Sequence, residues 1–482
     1  MLEISKLLFS RWNDAQLCYC HWKSNEHLMP GLIGDTDLDV LLSESDRLKG
    51  VEILRQLDFL KCKSQFGSRY PKVDDWIGFD NETGKLIHLH LHYQIVTGHK
   101  GLKEYNLPWT MQVLENRIQD PETGVFISSP NFEIVTLYTR IALKVSLNDI
   151  FNSYLGKYHI DKSFLIEIEY LKKRVCWEEV ESIVFKYYGR YSAQVVDLLK
   201  NETLTTKDIF ALRKIAESVF RSVSRYKYFY RFLEFYYKYA LKFRKFLRLK
   251  LHQFIVTRKV PEMENGLQIA FLGQDGAGKT TVTTIIRKWW DWKMDVQLVY
   301  LGSGENYHSW RKWLLHKLPR SFGFKTVRAW LTLSKYKALS KDVLKTIRKG
   351  ERYANKGGLV IYDRYPQIQY AGISDGPKIR ELFLNKSPRL LRWVFESFAN
   401  SEERYLKQAT EHQPNIVFKL VIPPEESVRR KPENVLETME IKHNIIKSLQ
   451  FENSDVYVID ATMPFEEEIL MIKRIIWEHV LK

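Results

Sequence analysis

The spacing of apolar residues divides the chain into three stretches of different character. Helical stripes and alternating segments are mixed in residues 1–125, helical stripes alone fill residues 126–260, and short apolar runs alternate with helices in residues 261–482. A stripe that recurs every three to four residues indicates an amphipathic helix, whereas strict alternation indicates a strand. The pattern therefore predicts three domains with these bounds: the first α+β, the second helical and the third α/β.

Five short apolar runs in the third stretch predict buried strands. They lie at 267–272, 296–301, 359–362, 416–422 and 456–459. Helical segments separate them, and this βα alternation is typical of a parallel sheet with helices on both faces. We therefore predict an α/β fold with a five-stranded parallel sheet in the C-terminal half.

The first stretch contains a predicted strand that begins with acidic residues. Leu38, Val40 and Leu41 mark the strand. Asp37 and Asp39 project from one face of it, because side chains alternate along a strand. Two carboxylates held side by side attract a divalent metal ion. This strand is therefore a candidate metal site.

A hairpin is predicted after this strand, at residues 75–94, with its turn at 80–85. On its second strand, His88, His90 and His92 share one face, and apolar residues occupy the other. The histidines are candidate ligands if that face lies near the two aspartates; otherwise they form a solvated face.

The first of the five apolar runs leads into the sequence GQDGAGKT at residues 273–280. Gly273, Gly278, Lys279 and Thr280 complete the pattern G-x-x-x-x-G-K-[ST]. Glycines let backbone N–H groups close around phosphate oxygens, and the start of the following helix adds a partial positive charge. The lysine and the hydroxyl then serve phosphate and Mg²⁺. The motif predicts a nucleotide-binding loop.

The third apolar run ends in Asp363 and Arg364, followed by Tyr365. An acid at the carboxyl end of a strand beside such a loop is positioned to order Mg²⁺ or its water. An arginine next to it can bind a phosphate through two nitrogens. These residues are therefore expected to complete the nucleotide site.

Composition and charge narrow the class of protein. The chain has 482 residues, is 45% hydrophobic and carries a formal charge of +16, which favours anionic partners such as nucleotides, nucleic acid or an acidic membrane face. Its four cysteines are too few and too irregular for a disulfide framework or a zinc site. The N-terminus lacks the layout of a signal peptide, and no apolar run approaches a membrane span. A cytoplasmic location is predicted.

Residues 221–259 form a basic and aromatic segment. Glu234 is the only acid among a dozen Lys and Arg, and Tyr and Phe are interleaved with them. Such a helix can lie on an anionic membrane, follow a nucleic-acid backbone, or pack its aromatic face on a neighbouring domain and leave its charges solvated. The sequence leaves these alternatives open, with nucleic acid the least favoured ligand.

The C-terminal half resembles the thymidylate kinase family of P-loop kinases. The resemblance rests on FLGQDGAGKTT, then DRY, then VIPPEESVRR, then YVIDATMPFEEEI, in that order along the chain. It implies ATP and Mg²⁺ as cofactors, with Lys279, Asp363, Arg364, Arg429 and Arg430 as catalytic residues. It also implies that Thr280 and Asp363 face the metal. The nucleotide-binding residues it implies are Gly273, Asp275, Gly276, Ala277, Gly278, Lys279, Thr280 and Thr281.

The acceptor side departs from that family. The family's R-E-P-G-G-T loop is here Tyr300-Leu301-Gly302-Ser303-Gly304-Glu305, and its L-F-x-A-x-R helix has no match. A basic, Trp-rich insertion at 306–328 follows, which is a candidate to bind a phosphorylated or sugar-like acceptor or to pack in the core. A changed acceptor pocket redirects such a fold to another substrate, so we do not expect thymidylate.

The N-terminal part resembles, over a shorter stretch, the nucleotidyltransferase superfamily that includes DNA polymerase beta. The resemblance rests on the D-x-D strand and implies that Asp37 and Asp39 bind metal. The family's upstream Gly-Ser pair is here Lys23-Ser24-Asn25, and its third carboxylate falls among histidines. Either His90 replaces that acid as a ligand, or the domain binds a nucleotide without transferring it.

The leading hypothesis is an ATP-dependent kinase of a small phosphorylated or hydroxylated metabolite, nucleotide or sugar-like, fused to a nucleotidyltransferase-like domain. The partners it implies are a nucleoside triphosphate and a small-molecule acceptor. The alternative is a nucleotide-dependent switch or binding protein that docks on membrane or nucleic acid through the basic helix. The oligomeric state stays open, and a dimer is compatible with the sequence.

Overall fold

The computed structural model describes residues 1–64, 70, 72–99, 102–225, 230–250, 254–302, 325–383 and 392–482. The chain divides into two compact units, Met1–Leu251 and His252–Val480. The bounds predicted for three domains, at residues 125 and 260, stay predictions.

The first unit contains a mixed sheet. Its strands are β1 (Tyr19–His21), β2 (Asp37–Leu42), β3 (Leu60–Lys63), β4 (Val73–Phe79), β5 (Leu86–His92), β6 (Val96–Thr97), β7 (Tyr105–Asn106), β8 (Ile118–Gln119) and β9 (Phe126–Ile127). The order across the sheet runs β3-β4-β5-β2-β1-β9-β8, and β6 pairs with β7 separately. β4 and β5 form the predicted antiparallel hairpin. β2 lies parallel to β5, on the other side from β4.

Helices cover this sheet and extend it into a helical region. They are α1 (Glu3–Asp14), α2 (Leu28–Leu32), α3 (Arg47–Gln56), α4 (Thr110–Glu115), α5 (Pro130–Lys144), α6 (Leu147–Tyr154), α7 (Lys162–Lys172), α8 (Trp177–Tyr188), α9 (Ser192–Lys200), α10 (Thr206–Val219) and α11 (Tyr230–Lys250). One buried cluster joins Trp22 and Leu41 of the sheet region to Tyr138, Val184 and Leu212 of the helices. The helical region and the sheet therefore share a hydrophobic core.

Local sequence accounts for where several of these helices begin. Ser146 and Thr205 each accept a hydrogen bond from the backbone N–H three residues on, where Asp149 and Asp208 return the contact. This reciprocal capping satisfies backbone donors that have no partner inside the helix.

The second unit contains the predicted parallel sheet. After a short strand, β10 (Val260–Pro261), the strands are β11 (Gln268–Gly273), β12 (Val296–Tyr300), β13 (Leu359–Asp363), β14 (Ile416–Val421) and β15 (Asp455–Asp460). The last five form one sheet in the order β12-β13-β11-β14-β15, and every neighbouring pair in it is parallel. The fold is thus mixed α/β with a five-stranded parallel sheet, which confirms that prediction.

Helices flank this sheet. They are α12 (Lys279–Asp291), α13 (Lys325–Ala354), α14 (Ile379–Phe383), α15 (Arg392–Glu411), α16 (Pro424–Arg430), α17 (Leu436–Ser448) and α18 (Phe465–Leu481). Among the parts of the chain that the structure describes, none of the helices combines the length and the apolar character needed to cross a membrane. Most of the predicted acceptor insertion, 306–324, lies outside the described residues.

Candidate functional sites

The loop between β11 and α12 has the backbone form that its glycines were expected to allow. Gly276 and Gly278 have φ values of 86° and 84°, a left-handed conformation that other residues adopt only with strain. At Gly273, an added Cβ would lie 2.6 Å from the carbonyl oxygen of Leu420. The glycines are therefore required by conformation and by close packing against β14.

Lys279 lies inside this loop. Its Nζ donates hydrogen bonds to the carbonyl oxygens of Gly273 at 2.7 Å and Gln274 at 2.8 Å. Burial lowers the pKa of Lys279 to about 8, and the nearby Arg364 guanidinium acts in the same direction. The loop therefore holds a desolvated cation at its centre, where an anionic ligand would be strongly favoured.

Thr280 and Asp363 meet at the edge of the sheet. Phe271 of β11 lies opposite Asp363 of β13, and the Thr280 hydroxyl donates to Asp363 Oδ2 at 2.8 Å. The other carboxylate oxygen, Oδ1, is buried without a hydrogen-bond partner among the described residues. A hydroxyl and a buried carboxylate oxygen with spare capacity are oxygen donors of the kind that Mg²⁺ takes. These two residues therefore fit the predicted metal position.

Arg364 follows in a strained conformation, with φ at 76°. Its guanidinium lies between two carboxylates, 3.6 Å from Asp275 Oδ1 and 3.7 Å from Asp375 Oδ2. Strain of this kind persists where the surroundings over-determine the conformation, often at functional sites. The two carboxylates therefore hold the Arg364 guanidinium next to the glycine loop.

The two arginines expected to act together have different surroundings. Arg430 Nη1 donates to the carbonyl oxygen of Gly276 at 3.3 Å, and Nη2 donates to that of Ala461 at 3.0 Å. Arg429 pairs with Glu426 at 2.6 Å and its side chain is 77% exposed. Arg430 also pairs with Glu426, at 2.7 Å, so both arginines share this partner within α16, and Arg430 contacts the loop in addition.

Three further residues of the loop, Ala277, Thr281 and Asp275, differ in how far they are buried. Ala277 is buried and Thr281 is exposed. Asp275 accepts a hydrogen bond from Lys442 Nζ at 2.5 Å. Burial opposes ionisation of Asp275, but Lys442 outweighs it and holds the pKa of that carboxyl below its ordinary value. The roles assigned to these residues stay predictions.

Sequence reasoning missed three charged residues next to the loop. Asp375, Lys378 and Lys442 line one cavity with Asp275 and Arg364. No motif marks them, because they come from a loop after β13 and from the middle of α17. Their proximity follows only from the fold.

In the first unit, a second polar cluster forms between three strands. Strand register sets Asp37 opposite His88 and Asp39 opposite His90, and it sets Asp75 of β4 opposite His90. His88 Nδ1 lies 2.6 Å from Asp37 Oδ1, and His90 Nε2 lies 3.0 Å from Asp75 Oδ1. The predicted metal residues Asp37, Asp39 and His90 therefore come together.

Asp75 is a third carboxylate that the sequence analysis overlooked. It lies within hydrogen-bond distance of both His88 and His90. The predicted turn at 80–85 contained the signal, because a hairpin closed there pairs residue 75 with residue 90. A neighbouring-strand acid is thus present in addition to the histidines.

Asp39 is paired with a lysine and with histidines in this cluster. Lys23 Nζ lies 2.7 Å from Asp39 Oδ1, and His92 Nε2 lies 3.3 Å from the same oxygen. Burial favours the neutral acid, but Lys23 and the histidine hydrogen bonds prevail and hold the pKa of Asp39 well below its usual range. Burial lowers the pKa of His92 to about 3, so its ring is neutral near pH 7.

Buried acids from the helical region hold the segment that carries Lys23. Ser24 is left-handed, with φ at 54°, and its N–H donates to Glu167 at 3.2 Å. The N–H of Asn25 donates to Glu133 at 2.9 Å. Burial raises the pKa of Glu133 to about 8. The turn that stands where the nucleotidyltransferase family has Gly-Ser is therefore fixed from α5 and α7.

Known proteins are similar to part of this chain. No family model matches the chain. The uncharacterized ATP-binding protein YghR of Escherichia coli K12 is 27% identical over 226 residues, which cover 44% of this chain and 86% of that protein. YghR of Escherichia coli O6:H1 shows the same figures. YghS of strain K12, also named an uncharacterized ATP-binding protein, is 25% identical over 219 residues, 41% of this chain and 87% of that protein.

The burial of Lys279 makes the stability of the second unit depend on pH. Because its folded-state pKa, about 8, lies below the ordinary 10.5, the unfolded chain binds more protons between these values. The free energy of unfolding should therefore rise as pH increases from 8 towards 10.5, by up to about 3 kcal/mol. Urea denaturation should show this rise in the wild type and not in Lys279→Met. Lys288→Met, at an exposed position of α12, is the control and should show the same rise with pH as the wild type. If the free energy of unfolding of Lys279→Met changes with pH in parallel with that of the wild type, Lys279 does not cause the rise.

Proposed function

We propose that the second unit transfers the γ-phosphoryl group of ATP to an oxygen atom of a small acceptor. The observation that carries this proposal is the contact between Thr280 and Asp363 at 2.8 Å, beside a buried lysine in a glycine loop. The relatives YghR and YghS are named ATP-binding proteins, which supports a nucleotide as the ligand. The shared segment is also about as long as the second unit.

Each residue of the site has a distinct task in this proposal. Backbone N–H groups of the loop bind the phosphates, and Lys279 exchanges its two carbonyl partners for phosphate oxygens. Thr280 and Asp363 would hold Mg²⁺, which offsets charge on the β- and γ-phosphates when it is bound. Arg364 faces the transferring group, where a guanidinium stabilises developing charge. Arg430 supports the loop by its contact with Gly276.

Removal of the Asp363 charge tests this arrangement. We expect Asp363→Asn to lower the rate of ADP formation from Mg-ATP by about a hundredfold or more, the usual effect of losing one pre-organised electrostatic group, while the fold is kept. The assay is ADP release with and without a panel of phosphorylated metabolites. Asp460→Asn is the matched control, since Asp460 also ends a strand of this sheet but contacts Thr462. Unchanged rates in Asp363→Asn would contradict the proposal.

We infer that the first unit binds a divalent cation and has a nucleotidyltransferase-like site. Three carboxylates, Asp37, Asp39 and Asp75, share one face with the histidines of β5. Carboxylate donors suit Mg²⁺ and Mn²⁺, and imidazole donors suit transition-metal ions such as Zn²⁺ and Fe²⁺. Lys23 competes for Asp39, so metal affinity should depend on displacing that ammonium. An active first unit would attach a nucleotide to the product of the second.

Titration with Mn²⁺ tests the cation site. We expect Asp75→Asn to weaken binding by at least about tenfold, since carboxylates in and around a metal site contribute this much. Asp74→Asn is the control, because Asp74 points the other way and contacts Lys61 and Tyr93. Lys23→Gln should tighten binding by freeing Asp39. Equal affinities for wild type, Asp75→Asn and Lys23→Gln would exclude a metal at this position.

A second candidate function is docking of the chain on an anionic membrane through α11. Five aromatic residues of α11 recur at helical spacing along one face and are 50–67% exposed: Phe232, Tyr236, Tyr239, Phe243 and Phe246. The charged residues of this helix are seven Lys or Arg and a single Glu, which disfavours pairing with a second copy and favours an anionic lipid surface.

Vesicle binding separates this candidate from the others. We expect the chain to bind phosphatidylserine-containing vesicles in a salt-sensitive manner and to ignore phosphatidylcholine alone. Phe243→Ser with Phe246→Ser should weaken binding at least about tenfold, since each buried aromatic contributes roughly 1.5–3 kcal/mol. Phe185→Ser, at an exposed position of α8, should not. Binding to an oligonucleotide but not to vesicles would assign the helix to nucleic acid instead.

A further inference from the structure

A charged cavity adjoins the nucleotide loop of the second unit. Its volume is about 300 Å³, and β11, the loop after β13, and α17 enclose it. Lys279 and Gln274 from the loop and Arg364 from the end of β13 form one side of it. A molecule in this cavity would therefore lie next to the group that the proposed reaction transfers.

The charges in the cavity favour an anion. Lys279, Arg364, Lys378 and Lys442 line it against only two acids among the described lining residues, Asp275 and Asp375. With Lys279 assigned to the phosphates of ATP, three cations still face two acids, an excess that favours an anionic group such as a phosphate monoester. Arg364 and Lys442 both contact the Asp275 carboxylate at its wall. The net positive charge of the lining favours an anionic ligand.

Two residues that line the cavity, Gln274 and Arg364, each have a buried polar atom with unused hydrogen-bonding capacity. Gln274 is 2% exposed, and its Oε1 has no hydrogen-bond partner among the described residues, while its Nε2 donates to the carbonyl oxygen of Ile422. Arg364 Nε is likewise buried without a partner in that part of the chain. Buried polar groups are normally satisfied, so these atoms point to a ligand that supplies a donor and an acceptor.

The loop that carries Asp375 is built in advance of any ligand. Ser374 and Asp375 have φ values of 49° and 65°. Gln367, buried beneath them, donates to the carbonyl oxygens of Tyr370 at 2.7 Å and Ile373 at 2.8 Å and accepts from the N–H of Tyr370 at 2.8 Å. This network fixes the Asp375 carboxylate beside Arg364. Such pre-organisation reduces the entropy lost on binding.

The uncharged residues that line the cavity indicate which kind of anion it accommodates. Its apolar side chains are aliphatic, Leu272, Ile373 and Ile446, and no aromatic side chain is among the described residues that line the cavity. Flat bases are commonly held by stacking on aromatic faces, and that surface is missing from the described lining. Carboxylates and an amide oxygen instead offer several acceptors to hydroxyl groups.

We propose that this cavity binds the phosphorylated acceptor and that the acceptor is a small polyol phosphate, such as a sugar phosphate, rather than a nucleoside monophosphate. The proposal rests on the phosphoryl-transfer function proposed above and names its substrate class. Arg364, Lys442 and Lys378 bind the phosphate of the acceptor. Asp375 and Gln274 accept hydrogen bonds from its hydroxyl groups, and the aliphatic side chains contact its carbon skeleton.

Binding to the full chain, saturated with Mg²⁺ and the β,γ-imido analogue of ATP, tests this assignment by calorimetry. The probes are ribose 5-phosphate, erythritol 4-phosphate and glycerol 3-phosphate, compared with AMP, CMP, UMP and dTMP. We expect at least one polyol phosphate to bind ten times more tightly than every nucleotide. Asp375→Asn and Lys442→Gln should each weaken that binding about tenfold, while Lys447→Gln, at an exposed position of α17, should leave it unchanged.

The possible results distinguish failure of the acceptor assignment from failure of the proposed phosphoryl transfer. Tighter binding of a nucleoside monophosphate, or no binding of any polyol phosphate while the ATP analogue binds, overturns the acceptor assignment and leaves phosphoryl transfer standing. Absence of binding by the ATP analogue overturns phosphoryl transfer itself. Polyol phosphate binding that Asp375→Asn and Lys442→Gln do not alter places the acceptor elsewhere and also overturns the assignment.

Discussion

Strand register is the constraint on which both candidate sites depend. In the second unit, the parallel pairing of β11 with β13 brings Asp363 to Thr280, which lies 83 residues earlier. In the first, β5 carries its histidines between Asp39 on one neighbour and Asp75 on the other. Side chains alternate along a strand, so a slip of one residue would turn these polar rows into the core. By fixing the register, the apolar residues on the opposite face therefore also fix the positions of the polar side chains.

Both sites also bury charged groups, and the surrounding structure compensates each of them. A buried ion without a partner costs several kcal/mol. Lys279 meets two carbonyl oxygens, and Asp39 meets Lys23 and His92. These partners fix the loops in which they lie. A ligand that replaces one of them meets a group already desolvated, and it then gains more from the contact than it would at an exposed charge.

The sequence predicted those features that depend on residues close together in the chain, and it missed those that depend on residues far apart. The five parallel strands and the glycine loop depend on spacing within a few residues, and the structure has them at or near the predicted bounds. Asp75 was within reach, because the predicted hairpin turn already implied its pairing with His90. Asp375, Lys378 and Lys442 were not, since only the fold brings the loop after β13 to α17. Exposure of the α11 aromatics likewise depends on what packs against that helix.

The difference between the donor side and the acceptor side has a physical origin. Phosphates present the same oxygens in every nucleotide, so backbone N–H groups and glycines at fixed spacing suffice to bind them, and that requirement is visible in sequence. An acceptor differs in shape and in hydroxyl pattern from one substrate to another, so side chains from separate segments must converge on it. Arg364 links the two sides, because it follows Asp363 in sequence and contacts Asp375 in space. Its left-handed backbone directs the chain from the end of β13 into the loop that carries Asp375, so one residue joins a motif visible in sequence to a segment that only the fold brings close.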